Sequence, residues 1–401
     1  VLFLKICGII AEYNPFHNGH LYLIHRLRDM GYSHIVAVMS GNFVQRGETA
    51  IMSKWPRTEC ALKSGVDLVI ELPLTWAMSA AQNFALGGVS LLNSLGCVDT
   101  LAFGCEIDDI SELSRAVNVK SSAAFKTAFA DEIDKGKSYA AAASAALDKS
   151  GESINPDIFR LPNCILAQEY ISALNRLNSK ITPIAIKRHI SAHDEMHKSA
   201  PDNTDIVSAA YIRELIKSGS DFRQYVPKFT ADIIDRELAL KSAPADISRL
   251  ERAILAFLRK CEPDDFTHLP DVNEGLQNRI YTAAKNSQSY GELIDKIKTK
   301  RYTHARLRRT ILSAFLDIDV SLFNAEPPYI RILGFNERGK EILRLARESA
   351  VPIIMKAADI NHLSESCRRL FEAENRADDI YALSLPVIGG CGSNMTNGVI
   401  H

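Results

Sequence analysis

Short apolar runs in the first part of the chain alternate with longer segments of helical periodicity, and this alternation is the strongest constraint on the fold. The runs are FLKICGII, HIVAVM, DLVIEL and TLAF. Strands that are apolar throughout are buried on both faces, and helices between them act as crossovers, which implies parallel strands. The sequence therefore predicts an α/β protein with a doubly wound parallel sheet.

Glycines mark the ends of the expected crossover helices. Apolar residues recur at helical spacing over 19–30, and Gly31 follows in the C-cap position. Ser53 is a candidate N-cap for a second helix that ends near Gly65, and 77–95 reads as one long helix before Gly96. We expect these helices to cover the two faces of the sheet.

The remaining chain is predicted to be mainly helical. The Ala-rich residues 111–180 indicate a helical insertion because Ala is the best helix former, although a low-complexity linker is the alternative for KSYAAAASAALDKS. ITPIAIKR then returns to the sheet as a strand. The expected organisation is a first domain that includes the insertion, a helical region, a small α/β unit and a loose tail, at residues 1–225, 226–325, 326–390 and 391–401.

Composition and charge narrow the class of protein. The 47 Lys plus Arg balance 48 Asp plus Glu, so any affinity for nucleic acid requires a local basic patch. The eight cysteines form no CxxC pair, which in a chain of 401 residues indicates reduced thiols and a cytoplasmic protein. Lys5 interrupts the apolar start, so we expect a buried strand there and no signal peptide. No stretch is long enough to span a membrane.

One histidine-rich stretch, HISAHDEMHK, superficially resembles a zinc protease helix. His189, His193 and His197 recur at four-residue spacing, but the protease motif requires Glu directly after its first His, and Asp194 stands in that place. The stretch follows a strand and has the composition of a loop. We therefore expect no metal site.

The polar loop EYNPFHNGH, residues 12–20, follows the first apolar run. Ligands of parallel sheets bind beyond the carboxyl ends of the strands, and this loop lies there. It matches neither the P-loop nor the dinucleotide-binding pattern. His17 and His20 are three residues apart at a helix start, so both imidazoles can reach one anion beside the N-terminal N–H groups. Two satisfied turn histidines are the alternative, but this placement favours stabilisation of a phosphoryl group.

Eight segments carry a resemblance to a known family. In order, they are GIIAEYNPFHNGHL, VMSGNFVQRGE, KWPRTECAL, GVDLVIELP, FGCE, LPNCILAQEY, IKR and KTKRYTHARLRR. H-x-G-H on the first βα junction resembles the nucleotidyltransferase superfamily that includes class I aminoacyl-tRNA synthetases and pantothenate synthetase. The full set resembles the bacterial tRNA(Met) cytidine acetate ligase family.

This resemblance implies an enzyme that uses ATP to activate acetate as acetyl-adenylate. The acetyl group then goes to N4 of the wobble cytidine of elongator tRNA(Met), giving N4-acetylcytidine. ATP with Mg²⁺, acetate and that tRNA are the implied partners, with no membrane and no obligatory protein partner. Residues 1–225 become a Rossmann-like catalytic domain and 226–325 a tRNA-binding region. A small-molecule adenylyltransferase and a non-catalytic tRNA-binding protein stay open as alternatives.

The resemblance also implies the site residues. His17 and His20 are the catalytic pair. Gly104 would admit the adenosine at the end of the fourth strand, Asn163 suits ribose or base edges, and the Arg188 fork suits phosphate. The implied ATP-binding loop consists of Ile10, Ala11, Glu12, Tyr13, Asn14, Pro15, Phe16, His17, Asn18, Gly19, His20, Leu21, Tyr22 and Leu23.

The sequence departs from the family pattern at two positions. Where relatives carry a Ser-Ala-Thr-x-Ile-Arg run, this chain has SAAYIR, so Ala210 lacks the threonine hydroxyl. We therefore expect any phosphate contact of this segment to come from Ser208 and Arg213. Cys105 replaces a serine in FGCE. We expect little effect of this change because Gly104 is kept.

The segment KIKTKRYTHARLRRT, residues 296–310, is basic and contains no acidic residue. In a chain with almost no net charge, such a cluster is where a polyanion would bind, and Tyr302 and His304 could stack on bases. A solvated helix face is the alternative. With the family resemblance we expect tRNA contacts from Lys296, Lys298, Lys300, Arg301, Arg306, Arg308 and Arg309.

Overall fold

The computed structural model describes the chain in seven stretches: residues 4–137, 139–151, 153–188, 206–273, 275–299, 302–323 and 325–401. Its strands are β1 (Ile6–Ala11), β2 (His34–Ser40), β3 (Phe43–Val44), β4 (Glu48–Thr49), β5 (Leu68–Leu72), β6 (Thr100–Cys105), β7 (Thr182–Lys187), β8 (Ile330–Phe335) and β9 (Ile353–Ile354). Within these stretches, seven strands form one sheet in the order β7-β6-β1-β2-β5-β8-β9, and β3 pairs with β4 as a small hairpin.

Helices surround this sheet. The helices that precede β7 are α1 (Asn18–Asp29), α2 (Lys54–Lys63), α3 (Leu74–Ala77), α4 (Ala81–Ser94), α5 (Ile110–Ser121), α6 (Ala123–Asp134), α7 (Tyr139–Ser150) and α8 (Pro162–Arg176). Those that follow β7 are α9 (Ala209–Ser218), α10 (Lys228–Ala239), α11 (Glu251–Leu258), α12 (Leu276–Asn286), α13 (Tyr290–Ile297), α14 (His304–Phe315), α15 (Glu337–Leu345), α16 (Glu365–Tyr381) and α17 (Ser393–Thr396). Among the described helices, none is both long and apolar enough to cross a membrane.

The predicted doubly wound parallel sheet is confirmed. Strands β7, β6, β1, β2 and β5 are mutually parallel, and β6 and β2 lie on opposite sides of β1. The chain therefore reverses its winding direction at β1 and β6. A crevice opens between loops at such a reversal, and it is where open α/β sheets bind ligands.

Both faces of the sheet are buried, as the continuous apolar runs predicted. Along β2, Ile35 belongs to an apolar cluster with residues of α1, α2 and α9 on one face. Val36 belongs to a second cluster with residues of α4 and α8 on the other, and both side chains are fully buried. Two helical layers therefore fix the register of the central strands, because a shift by one residue would exchange the two faces.

The expected helix over 77–95 corresponds to α4, which begins later, at Ala81, because Ala77 ends the short helix α3. Between α3 and α4, the backbone leaves the helical region at Met78. The Trp76 side chain folds back onto α4 at Gly87, where an added Cβ would lie 2.4 Å from Trp76 Cγ. The buried indole therefore packs α3 against α4, a contact that sequence periodicity does not predict.

The predicted division at residue 326 is wrong for the sheet. Strand β8 pairs antiparallel with β5, with Leu68 opposite Phe335, and β9 extends the same sheet. Lys54 of α2 is fully buried between Glu71 of β5, at 2.6 Å, and Asp378 of α16, at 2.9 Å. The unit 326–390 therefore completes the main domain by covering the edge of β5, which would otherwise expose unpaired backbone groups.

The predicted loose tail over 391–401 is also wrong. Ile400 forms a bridge with Gly334 of β8, and its backbone N–H donates to the carbonyl of Leu333 at 3.0 Å. The Asn394 side chain is 1% exposed, and its backbone carbonyl accepts from Arg331. Gly and Asn in this segment looked like loop signals, but tertiary hydrogen bonds anchor it.

We expect the docking of α15 to depend on Gly339. A Cβ at this position would lie 2.1 Å from the backbone oxygen of Asp67, so Gly339→Ala should lower the free energy of unfolding by about 1–3 kcal/mol. Gly291→Ala is the matched control, because Gly291 lies in helix α13, where an added Cβ would meet Ser289 Oγ at an ordinary contact distance of 4.0 Å, and the substitution should stabilise by about 0.5–1 kcal/mol. Urea unfolding of both variants tests this; equal stability of the two would contradict it.

Candidate active site

The loop after β1 is held by side chains from neighbouring elements. Asn14 Oδ1 accepts a hydrogen bond from the Ile51 N–H at 2.8 Å, and the Arg57 guanidinium donates to the Glu12 carbonyl at 2.7 Å. The Asn14-Pro15 peptide bond is cis, and Tyr13 has a φ of 47°. These contacts place the start of α1 directly above the carboxyl end of β1.

His17 and His20 form a stacked pair at this helix start. His17 is the N-cap of α1, and its Nδ1 accepts from the Gly19 N–H at 3.0 Å. His20 Nδ1 accepts from the His17 N–H at 3.2 Å, and the ring centroids are 3.7 Å apart. Because each Nδ1 accepts, the proton of each neutral ring is on Nε2. The pair therefore offers two N–H donors of fixed tautomer.

The electrostatic setting keeps these imidazoles neutral. Burial lowers the pKa of His17 to about 3, and the nearby positive charges of Arg188 and Arg213 add to this shift. Burial, His17 and Arg188 lower the pKa of His20 well below its usual range. Near neutral pH the pair therefore donates hydrogen bonds to an anion without carrying charge of its own.

A cavity of ≈ 320 Å³ opens over this pair. Among the predicted site residues, those that line it are Ile10, Ala11, Glu12, Tyr13, Asn14, His17, Gly19, His20, Tyr22, Leu23, Gly104, Asn163, Arg188 and Arg213. Five predicted residues do not line it: Pro15, Phe16, Asn18, Leu21 and Ser208. Pro15, Phe16, Asn18 and Leu21 belong to the loop and to helix α1 but do not form the cavity wall.

The residues outside the cavity wall have structural contacts. Phe16 is fully buried in the core, and Asn18 Nδ2 donates to the Gln224 carbonyl at 2.9 Å. Ser208 is the N-cap of α9, and its hydroxyl accepts from Tyr211 N–H. Ala210 is exposed and does not line the cavity, so the absent hydroxyl leaves the described wall unchanged.

Gly104, Asn163 and Arg188 meet on the opposite wall. Arg188 Nη1 donates to Asn163 Oδ1 at 3.0 Å, and its methylenes lie over Gly104, where a Cβ would be 3.1 Å from Arg188 Cγ. The Asn163 amide donates to Glu106 Oε1 at 2.7 Å. Gly104 lines the cavity and also leaves room for the Arg188 side chain, whereas its expected admission of adenosine stays a prediction.

Cys105 lies behind this wall and does not line the cavity. Its Sγ is 3.2 Å from Cys164 Sγ, and Cys164 Sγ is 3.4 Å from Glu106 Oε2. These three residues bring donor atoms within 4.8 Å of one another, but the Glu106 oxygens already accept from the N–H groups of Asn163 and Cys164. The replacement of the family's serine by Cys105 thus falls in the core.

Sequence reasoning missed part of the cavity wall. Gln45 and Arg46, from the β3–β4 hairpin, and Lys187, Phe103 and Tyr170 also line it. Arg46 stands in the quoted segment VMSGNFVQRGE, which was the available signal. Within the described wall, Glu12 is the one carboxylate against four cations: Arg46, Lys187, Arg188 and Arg213. This charge balance suits a polyanionic ligand such as a polyphosphate.

The basic segment at 296–310 is largely engaged within the chain. Arg308 pairs with Glu48, and Arg306 donates to the Asp271 carbonyl at 2.7 Å. Arg309 is 9% exposed and pairs with Asp271 at 3.3 Å, so it does not present its charge at the surface. Tyr302 is also buried, with Arg306 stacked on its ring, which argues against base stacking there.

Some predicted residues lie outside the described stretches. Lys300 and Arg301 of the basic segment are among them, as are His189, His193 and His197. Lys298 is exposed beyond the end of α13, and Lys296 pairs with Glu292 at 2.6 Å.

The fold and the paired imidazoles at the first crossover define the class of HIGH nucleotidyl transferases. Residues 4–389 match a family model described as HIGH Nucleotidyl Transferase. A tRNA(Met) cytidine acetate ligase from Thermoanaerobacter sp. (strain X514) is 40% identical over 391 residues, 95% of this chain and 96% of that protein. One from Acetivibrio thermocellus is 37% identical over 417 residues, 99% of this chain and 100% of that protein. The chain belongs to the tRNA(Met) cytidine acetate ligase family.

Solved structures agree with this membership. Thermotoga maritima TmcAL bound with alpha-thio ATP superposes with a TM-score of 0.89 at 30% identity, covering 99% of this chain and 100% of that one. The apo form of the same protein gives a TM-score of 0.91 at 30% identity, covering 99% of each chain. The resemblance inferred from the eight sequence segments is confirmed.

We expect the buried histidines to make stability fall in acid. The unfolded chain takes up a proton near pH 6.5 and folded His17 only near pH 3, so stability declines as pH falls through this window. His17 alone should cost about 2 kcal/mol of unfolding free energy at pH 5 relative to pH 7. Urea titrations at both pH values should show that His17→Asn loses about 2 kcal/mol less unfolding free energy than the unmodified chain between pH 7 and pH 5. His25→Asn, on the exposed side of α1, is the control and should lose as much as the unmodified chain.

Proposed function

We propose that this chain is an ATP-dependent acetate ligase acting on tRNA. It would form acetyl-adenylate from acetate and ATP and transfer the acetyl group to N4 of the wobble cytidine of elongator tRNA(Met), yielding N4-acetylcytidine. The observation that supports it most directly is the neutral, tautomer-fixed imidazole pair of His17 and His20 in a cationic cavity. The acetate ligase name of its relatives agrees with this activity.

In the first step, a carboxylate oxygen of acetate attacks the α-phosphorus of ATP. The new P–O bond forms as the bond to the β-phosphate oxygen breaks, and diphosphate leaves. The Nε2–H groups of His17 and His20 donate to the phosphate oxygens that gain charge, and the positive end of the α1 dipole lies beside them. Arg188 and Arg213, which also line the cavity, stabilise the same charge.

In the second step, the exocyclic N4 amine attacks the acyl carbon of the mixed anhydride. The bond between that carbon and the phosphate oxygen breaks, AMP leaves and the amine gives up one proton. The wobble base must leave its stack to reach the anhydride, as loop bases in RNA can. Apolar wall residues such as Phe103 and Tyr170 keep water from the adenylate in the meantime.

A Mg²⁺ ion would enter with the nucleotide. Mg²⁺ is usually held by one or two carboxylates together with substrate phosphates. Within the described cavity wall, Glu12 is the single carboxylate; its Oε1 accepts from Gln45 N–H at 2.9 Å, which leaves Oε2 for a metal ion. The residues present fit such an ion, whose charge would neutralise part of the phosphate charge during binding.

We include in this proposal the predicted roles of the two parts of the chain. Residues 1–225 would carry the adenylation chemistry, and the helical region 226–325 would contact the tRNA through the exposed part of its basic segment. Acetate is the small acyl donor, and no obligatory protein partner is invoked. Free cysteines throughout the described chain suit a reducing cytoplasm.

His20→Ala is expected to abolish acetate-dependent exchange of diphosphate into ATP. The variant loses one Nε2–H donor to the transferring phosphoryl group, and loss of a comparable donor elsewhere costs about 10²–10³ in rate. Binding of tRNA, measured by filter retention, should be unchanged. His25→Ala is the control for helix α1 and should exchange normally. Normal exchange by His20→Ala would remove the histidine assignment, and exchange with a larger acid but not acetate would favour a different adenylyltransferase.

Neutralising the exposed lysines near the end of α13 should weaken tRNA binding. The double variant Lys296→Gln with Lys298→Gln removes charges that would contact tRNA phosphates. The slope of log K against log salt concentration should therefore become less steep by roughly 0.7–0.9 for each lost contact. Adenylate formation should be unaffected. Lys340→Gln with Arg344→Gln, on α15, is the matched control. An equal salt slope in both double variants would place the tRNA surface elsewhere.

A further inference from the structure

A second cavity, of ≈ 160 Å³, adjoins the proposed adenylation site. It lies between the β3–β4 hairpin, α9, α13 and α14. Arg213 lines both cavities, so a group bound in the second one would lie beside a nucleotide bound in the first. The other lining residues are Glu48, Thr49, Ile51, Lys217, Ala245, Ile247, Tyr290 and Arg308.

Tyr290 presents an unused polar group in this cavity. Its side chain is 8% exposed, and its hydroxyl oxygen is buried without a hydrogen-bond partner in the described structure. Burial raises the pKa of Tyr290, so its hydroxyl keeps its proton, and Arg308 and Glu48 lie near enough to influence it. Buried hydroxyls normally have partners, so one without a partner in a cavity wall points to a ligand.

Glu48 places a hydrogen-bond acceptor between two donors. Its Oε1 accepts from Arg308 Nη1, whereas its Oε2 is 3.9 Å from Arg213 Nη2 and keeps free acceptor capacity. Lys217 is neutralised by Asp246 at 2.8 Å. The polar part of the cavity thus offers one carboxylate acceptor flanked by guanidinium donors and a tyrosine hydroxyl.

Cytosine has the complementary pattern. Its exocyclic N4 amine donates, and its ring N3 and O2 accept, so a carboxylate beside two donors matches its base-pairing edge. Uracil has an acceptor at position 4 and a donor at N3. Its O4 would therefore face the carboxylate, which also accepts, and its N3–H would face a guanidinium group, which also donates. The arrangement therefore discriminates between the two pyrimidines.

We propose that this second cavity is the acceptor-base pocket, in which Glu48 receives the N4 amine of a flipped-out cytosine while Arg213, Arg308 and Tyr290 contact its remaining edge. This inference rests on the proposed function and adds the site of the acceptor nucleotide to it. Arg213 would then be a positioning residue for both substrates, because it also donates to the Asn14 carbonyl of the nucleotide loop at 2.9 Å.

Tyr290→Phe tests the pocket with the least disturbance. Its hydroxyl has no partner among the described residues, so removing it breaks no hydrogen bond seen there and the melting temperature should not fall. We expect kcat/KM for tRNA in acetyl transfer to drop roughly tenfold, with acetate-dependent diphosphate exchange unchanged. Tyr281→Phe, on the neighbouring helix α12, is the matched control and should transfer normally.

Glu48→Gln tests base discrimination. Its amide can turn a donor toward the N4 amine, so the preference for cytosine should weaken. The probes are elongator tRNA(Met) and the same tRNA with uridine at the wobble position. Each is titrated against the protein to measure its dissociation constant. The ratio of their dissociation constants should fall roughly tenfold in Glu48→Gln and stay unchanged in the control Glu292→Gln on α13.

The outcomes separate this inference from the proposed function. The unmodified chain should exchange diphosphate and acetylate tRNA. If Tyr290→Phe then transfers acetyl normally and Glu48→Gln keeps the normal preference for cytosine, the pocket assignment is overturned and the proposed function stands. Loss of exchange together with transfer in Tyr290→Phe would assign the cavity to the nucleotide and also overturn the inference. An unmodified chain that shows neither exchange nor acetylated cytidine would defeat the proposed function itself.

Discussion

One buried guanidinium holds the frame on which the site is built. Arg57 is fully buried and donates to backbone carbonyls at or just after the ends of β1, β2 and the β3–β4 hairpin, namely those of Glu12, Ser40, Gly41 and Met52. A charge removed from water requires such acceptors, and loop carbonyls removed from water require such a donor. One side chain meets both needs, and it fixes the loop that carries His17 and His20 relative to the hairpin that carries Glu48 and Arg46.

The imidazole pair depends on this frame. Each Nδ1 of His17 and His20 is committed to a backbone N–H at the start of α1, so the loop geometry decides which ring nitrogen faces the ligand. Burial keeps both rings uncharged, at a cost in acid stability. Neutral donors avoid the repulsion that two imidazolium groups would exert on each other and on Arg188 and Arg213.

Contacts across the molecule join the wall of the first cavity to the helical region. Arg308 of α14 pairs with Glu48, and Arg309 donates to the Gln45 carbonyl at 3.3 Å in the hairpin that walls the first cavity. Much of the basic segment thus serves the internal packing of α14. Its sequence looked like an exposed polyanion-binding face, because a run of arginines does not reveal which of them have acceptors nearby.

The sequence by itself determined the parallel sheet, the strand-to-helix junction that carries His17 and His20, and the family, since these follow from local periodicity and contiguous motifs. Only the tertiary structure decided that residues 326–401 complete the main sheet, that Arg188 lies over Gly104, and that Tyr290 shares a cavity with Glu48. These relations join residues tens to hundreds of positions apart. They arise from edge pairing, side-chain volume and buried hydrogen-bonding groups, which no local pattern of residues records.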